Sequence, residues 1–149
     1  MQNLSDHVRI IAAGDAIAAA SDTDEDSSRI DMSRAEGVVF IGKITDSVIT
    51  GVAALQVEQN DADSDTGMAA LSGAVATLTS GANDDLNGQM LIVDVYRPLK
   101  RWVQAVRTSL TANIAFGDLV AIVYGVGQRA VALAAAEGVK TVVASPDEA

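Results

Sequence analysis

Met90–Tyr124, MLIVDVYRPLKRWVQAVRTSLTANIAFGDLVAIVY, holds the only Trp, both Tyr, one of the two Phe and four of the ten Lys and Arg. Large aromatic side chains bury about 150–250 Å² each, so a chain this poor in rings is expected to build its core where they gather. Met90–Val95 and Leu119–Tyr124 are short apolar runs bounded by turn residues, the length of buried strands. Between them, Leu99, Trp102, Val103 and Val106 fit one helical face, while Trp102, Gln104 and Val106 fit one strand face. β-Branched and aromatic residues dominate and both flanks are strand-like, so a strand is expected after a bend at Pro98. Tyr96, Trp102 and Tyr124 become expected core or contact anchors.

Outward from this stretch the texture is similar. Gly37 precedes VVFIGKI (Val38–Ile44), and in VAALQVEQ (Val52–Gln59) Leu55 and Val57 alternate with Gln56 and Glu58, the period of a half-buried strand. NDADSDTG (Asn60–Gly67) and GANDDLNGQ (Gly81–Gln89) are turn-rich breaks. Met68–Ser80 reads as a short helical turn leading into a strand at Val75–Thr79. Val131–Ala135, Glu137-Gly138 and Val139–Val143 read as a closing hairpin. About seven to nine short strands with turn signals roughly 8–14 residues apart predict an all-β antiparallel sandwich, jelly-roll-like, and not βαβ units.

Residues 1–20 are ambiguous. Val8, Ile10 and Ala12 alternate, yet the Ala16–Ala20 run suits a helix, and an arm ordered only by a partner is a third reading. Asp6, Gly14 and Asp15 argue against a signal peptide, and no window reaches the roughly 18 apolar residues of a membrane helix. SDTDEDSS (Ser21–Ser28) reads as a solvated acidic loop. The expected organisation is an N-terminal arm and acidic loop (1–28), a β-sandwich domain (29–144) and a polar tail (145–149).

Acidic residues outnumber basic ones by 20 to 10, a net charge of −10, which disfavours nucleic acid and anionic membranes as partners. With no Cys, disulfides and thiolate chemistry are excluded. His7 has no acidic or nucleophilic partner at a telling spacing, and no G-x-S-x-G elbow occurs. Asp61, Asp63 and Asp65 suggest a calcium loop but fail the EF-hand pattern, with Thr66 where its Gly and Ser72 where its Glu would stand. Asp22, Asp24 and Asp26, and Asp84, Asp85 and Asn87, are weaker versions. Gly125-Val126-Gly127-Gln128-Arg129-Ala130 matches the short dinucleotide fingerprint without the βαβ context it requires. The expectation is a non-enzyme without cofactor or metal.

Three stretches together resemble tailed-bacteriophage head decoration, or cement, proteins: DMSRAEGVVFIGKITDSVITGVAALQVEQND (Asp31–Asp61), LIVDVYRPLKRWVQAVRTS (Leu91–Ser109) and VVASPDEA (Val142–Ala149). The resemblance rests chiefly on DVYRPLKRWV and on the spacing from EGVVF to LQVEQ. It implies a jelly-roll-like protein on the outer capsid surface of the virion, made in the host cytoplasm, often trimeric, clamping neighbouring copies of a major capsid protein. Arg97, Lys100, Arg101, Trp102 and Arg107 are then the candidate partner contacts. The alternative is a β-sandwich binding module for a host-surface carbohydrate or receptor, assisted by calcium.

Overall fold

The computed structural model describes residues 3–125 and Gly138. After a one-turn 3₁₀ helix at Leu4–Asp6 come ten strands: β1 (Val8–Gly14), β2 (Ile17–Ala20), β3 (Thr23–Asp26), β4 (Ile30–Asp31), β5 (Gly37–Ser47), β6 (Val52–Asn60), β7 (Ala69–Thr79), β8 (Met90–Tyr96), β9 (Trp102–Leu110) and β10 (Ile114–Tyr124). They form two antiparallel sheets. Sheet I has the order β1–β10–β5–β8, with β2 also on β10; sheet II has the order β3–β9–β6–β7, with β4 also on β9.

β1 and β2 share one partner strand, as do β3 and β4, so the ten strands reduce to eight units. The first unit pairs with the last (β1/β2 with β10), the second with the seventh (β3/β4 with β9), the third with the sixth (β5 with β8) and the fourth with the fifth (β6 with β7). This is one long antiparallel ribbon, rolled so that β10 also meets β5 and β9 also meets β6. The jelly-roll order follows, and the expected fold class holds.

Alternation explains how the sheets face one another. Val38, Phe40 and Ile44 of β5, Ala53, Leu55 and Val57 of β6, and Leu91, Val93 and Val95 of β8 all point inward and are buried. Leu119, Ala121 and Val123 complete the layer from β10. The buried rings are Phe40 and Phe116. Of the expected anchors, Tyr96 is exposed and Trp102 and Tyr124 are only half-buried, because each sits on an outer face of its sheet.

Three segments differ from the sequence reading. β7 is a strand along its whole length, with no helical turn; at Gly73, whose φ is +78°, it bulges, and the Gln56 side-chain amide donates to the Leu71 and Ala74 carbonyls across the bulge. Residues 8–20 are strands of sheet I, not an arm: Ile11 and Ala13 lie in the core while the β1 backbone pairs with β10. The acidic Ser21–Ser28 stretch is not a plain loop either, since Thr23–Asp26 pairs with Ser109–Val106 of β9. The expected hairpin at 131–143, the motif at 126–130 and the polar tail lie outside the described residues. No described helix is long and apolar enough to cross a membrane.

Deleting residues 1–20 removes the partner along one edge of β10, so the account predicts loss of a cooperative thermal transition, followed by circular dichroism. Phe40→Ala, at a side chain with 0% exposure, is expected to cost about 3–5 kcal/mol in a denaturant titration.

Candidate partner interface

The chain crosses from sheet I to sheet II between Tyr96 and Trp102, and the corner is fixed by backbone bonds. Arg97 adopts φ +52°, and its amide donates to the Glu36 carbonyl at 2.6 Å. Pro98 cannot donate, and the next two amides, Leu99 and Lys100, donate to Gln59 Oε1 at 3.1 and 3.2 Å. The corner thus presents Arg97, Lys100 and Arg101 on one exposed turn.

Each of these cations has a local companion. Arg97 stacks over Tyr96, 5.1 Å from the ring centroid, and Arg101 over Trp102 at 5.4 Å. Arg101 also grips Asp31 with two bonds, Nε to Oδ1 at 2.9 Å and Nη2 to Oδ2 at 2.7 Å. Lys100 Nζ lies 3.4 Å from Asp61. The Arg101 guanidinium, with help from the Ser33 amide, holds the Asp31 carboxyl well below the usual carboxylate range. Both side chains reach solvent (57% and 30% exposed), so the bridge contributes at most about 1 kcal/mol.

The acidic tracts are tied up in a similar way. Arg29 donates to Asp63 at 2.6 Å and to Asp65, so a guanidinium stands where the sequence suggested calcium. Asp85 accepts from Ser80 Oγ (2.8 Å) and from the Gly81 and Ala82 amides (2.8 and 3.1 Å), closing its own turn. Asp24 accepts from Thr108 Oγ1 at 2.6 Å. Among the described residues no three His, Cys, Asp or Glu side chains are grouped to hold a metal ion. His7 ends the 3₁₀ turn with its amide on the Leu4 carbonyl at 2.9 Å.

Arg107 departs from the expected surface role. It pairs with Leu55 on β9's inner side and is only 3% exposed, so it cannot meet a partner. Its Nη1 donates to the carbonyls of Asp15 (2.8 Å) and Gly117 (2.9 Å), tying sheet II to the breaks in the β1–β2 edge and in β10. Gly14 makes the room: a Cβ there would stand 2.6 Å from Arg107 Nη2. The guanidinium lines a cleft of about 560 Å³ with Asp15, Glu25, Asp26 and Ser28, and burial pushes its pKa down. Its Nε is buried without a partner. Of the cations named from the sequence, Arg97, Lys100 and Arg101 share the corner; the reading missed Arg29, Asp31 and Gln59, whose partners lie about 30 to 70 residues away in the chain and carry no local spacing signal.

Protein-family models and curated proteins give no match to this chain. Solved structures do. The exported protein XepA of PBSX shares the fold, with a TM-score of 0.52 and 15% sequence identity, the alignment covering 100% of this chain and 46% of XepA. This chain therefore spans less than half of XepA's length, and at this identity the likeness is one of fold.

Two outcomes are expected. Since the folded-state pKa of Asp31 lies below its unfolded value, the bridge contributes fully above about pH 4 and is lost as pH falls through the folded value. Asp31→Asn should accordingly lower stability by up to about 1 kcal/mol at neutral pH and flatten the acid limb of a stability–pH curve. Arg107→Ala opens a cavity and strands two carbonyls, a loss of about 3 kcal/mol measurable in urea.

Proposed function

We propose that this chain is a structural protein of a tailed-bacteriophage head, carried on the outer capsid surface of the virion and clamping neighbouring copies of the major capsid protein. It acts by binding and not by catalysis, without cofactor or nucleic acid, and is made in the host cytoplasm before joining the particle as a homo-oligomer, trimeric by resemblance. The observation that carries this reading is the two-sheet fold, whose likeness to an exported protein of the phage PBSX extends over the full chain. The resemblance to head decoration proteins through Leu91–Ser109 points the same way. That stretch contains the exposed corner, and Arg97, Lys100, Arg101 and Trp102 are the groups it offers to a partner.

A two-sheet sandwich suits such a role, because the rolled ribbon pairs β5, β6, β9 and β10 on both sides and holds its corner on the Glu36 carbonyl and the Gln59 side chain. Cations already stacked on rings and tied to carboxylates lose little side-chain freedom when an acidic partner arrives. Mass spectrometry of purified virions from a phage encoding this chain should find it in copy numbers comparable to the major capsid protein. Absence from virions overturns the proposal. Arg101→Glu should weaken attachment to particles at least tenfold; unchanged attachment removes the corner from the interface.

A further inference from the structure

The two sheets differ in what they show to the outside. Outward positions of sheet II mix polar and apolar side chains, Asp24, Gln56, Glu58 and Thr108 beside Val52, Val75, Trp102 and Val106. Sheet I is more uniformly apolar. Its strand register lines up Ile10, Ile122 and Val39 in one outward row beside Asp94, and Ala12, Val120, Ile41 and Ile92 in the next. Met90 and Tyr96 extend the face at either end of β8, each 58% exposed, and Ile92 is 50% exposed. The sequence carries the same signal, since VVFIGKI and LVAIVY are apolar at both parities. Strands of this kind belong to a sheet covered on both sides.

We propose that this outer face of sheet I is where a second copy of the chain docks, face to face. Four strands about 4.8 Å apart, over about seven residues of length, give an apolar area on the order of 400 Å². That is about half of the ~800 Å² each partner contributes to a standard interface, the share expected of an apolar core inside a polar rim. An aliphatic face needs an aliphatic counterpart, and on the opposite sheet Val52, Val75 and Leu110 are interrupted by Asp24, Gln56, Glu58 and Thr108. The chain's own matching surface is the same face on another copy, which makes the contact two-fold.

Charge agrees with this occupant. The net charge of −10 opposes random association, yet within the β5–β8 ladder the outward charges are Lys43 and Asp94, with Asp46, paired to Ala115, and Asp118 lying further toward one end of the sheet. Lys43 lies beside Met90, and Asp94 lies four residues further along the same strand pair, beside Val39. A two-fold axis across the strands at the Ile41–Ile92 row brings Lys43 of each copy diagonally opposite Asp94 of the other. Within one copy, Asp94 is already bridged by the Tyr124 hydroxyl at 2.7 Å, which lowers the cost of covering it. This inference does not depend on the phage reading, and the two-fold contact is separate from any three-fold contact made at a capsid.

Sedimentation velocity on the full chain tests it. An even-numbered assembly is expected, with Ile92→Lys and Ile41→Lys each raising the dissociation constant at least tenfold while circular dichroism stays native. Lys43→Asp should also weaken association, and Lys43→Asp combined with Asp94→Lys should restore it. A monomeric wild type, or variants that associate unchanged, overturns the proposal. A monomer in which an Ile92→Cys thiol resists alkylation would assign the face to residues 126–149 instead. Virion incorporation of the Ile92→Lys variant keeps the two proposals apart: incorporation with loss of pairing refutes neither.

Discussion

β10 is hydrogen-bonded along both edges, to β5 on one side and to β1 and β2 on the other, and the fold hangs on that double pairing. A strand held on both sides has no free backbone groups to leave unsatisfied in the interior, so its side chains can be apolar on both faces. It also joins the start of the described chain to its end. Once β10 lies between β5 and β1, β9 is carried between β6 and β3 by the same roll, and the two inner faces meet around Phe40, Leu55, Ile114 and Leu119.

Arg107 shows what the rolled ribbon tolerates inside. A buried guanidinium without a carboxylate in contact is costly, and here carbonyls offset it: those of Asp15 and Gly117, left free where regular pairing of β1/β2 and β10 breaks. The irregular edge and the buried cation therefore explain one another, with Gly14 as the position that lets them approach. At the opposite corner cations serve the surface. Arg29, Lys100 and Arg101 fold the acidic tracts back onto the sheet and leave the corner ordered and mixed in sign.

Most of the chain from β5 onward was legible because its strands carry strong local signals. β6 alternates, β5 and β10 are apolar runs, and the turn residues of Gly81–Gln89 fall where the chain does turn. β3 was illegible for a physical reason. At a sheet edge its backbone satisfies β9 while Asp24, Glu25 and Asp26 reach water, so nothing in its composition separates it from a loop. The alanines of β2 bury too little to show a period. In β9 both parities mix apolar and polar residues, so the inward turn of Arg107 could not be read from alternation. The pairing of Arg101 with Asp31 spans 70 positions and depends on β4 lying beside β9.

The molecule that results is a two-sheet sandwich with one mixed face that carries acids, one largely aliphatic face and a basic, ring-backed corner between sheets. Those three surfaces fit the proposed place among copies of the chain and a larger shell. Electron cryomicroscopy of virions from a phage encoding this chain tests that claim most directly. The account predicts jelly-roll density on the outer capsid surface with the Arg97–Trp102 corner against the major capsid protein. A shell whose outer density is fully explained by the major capsid protein alone would contradict it.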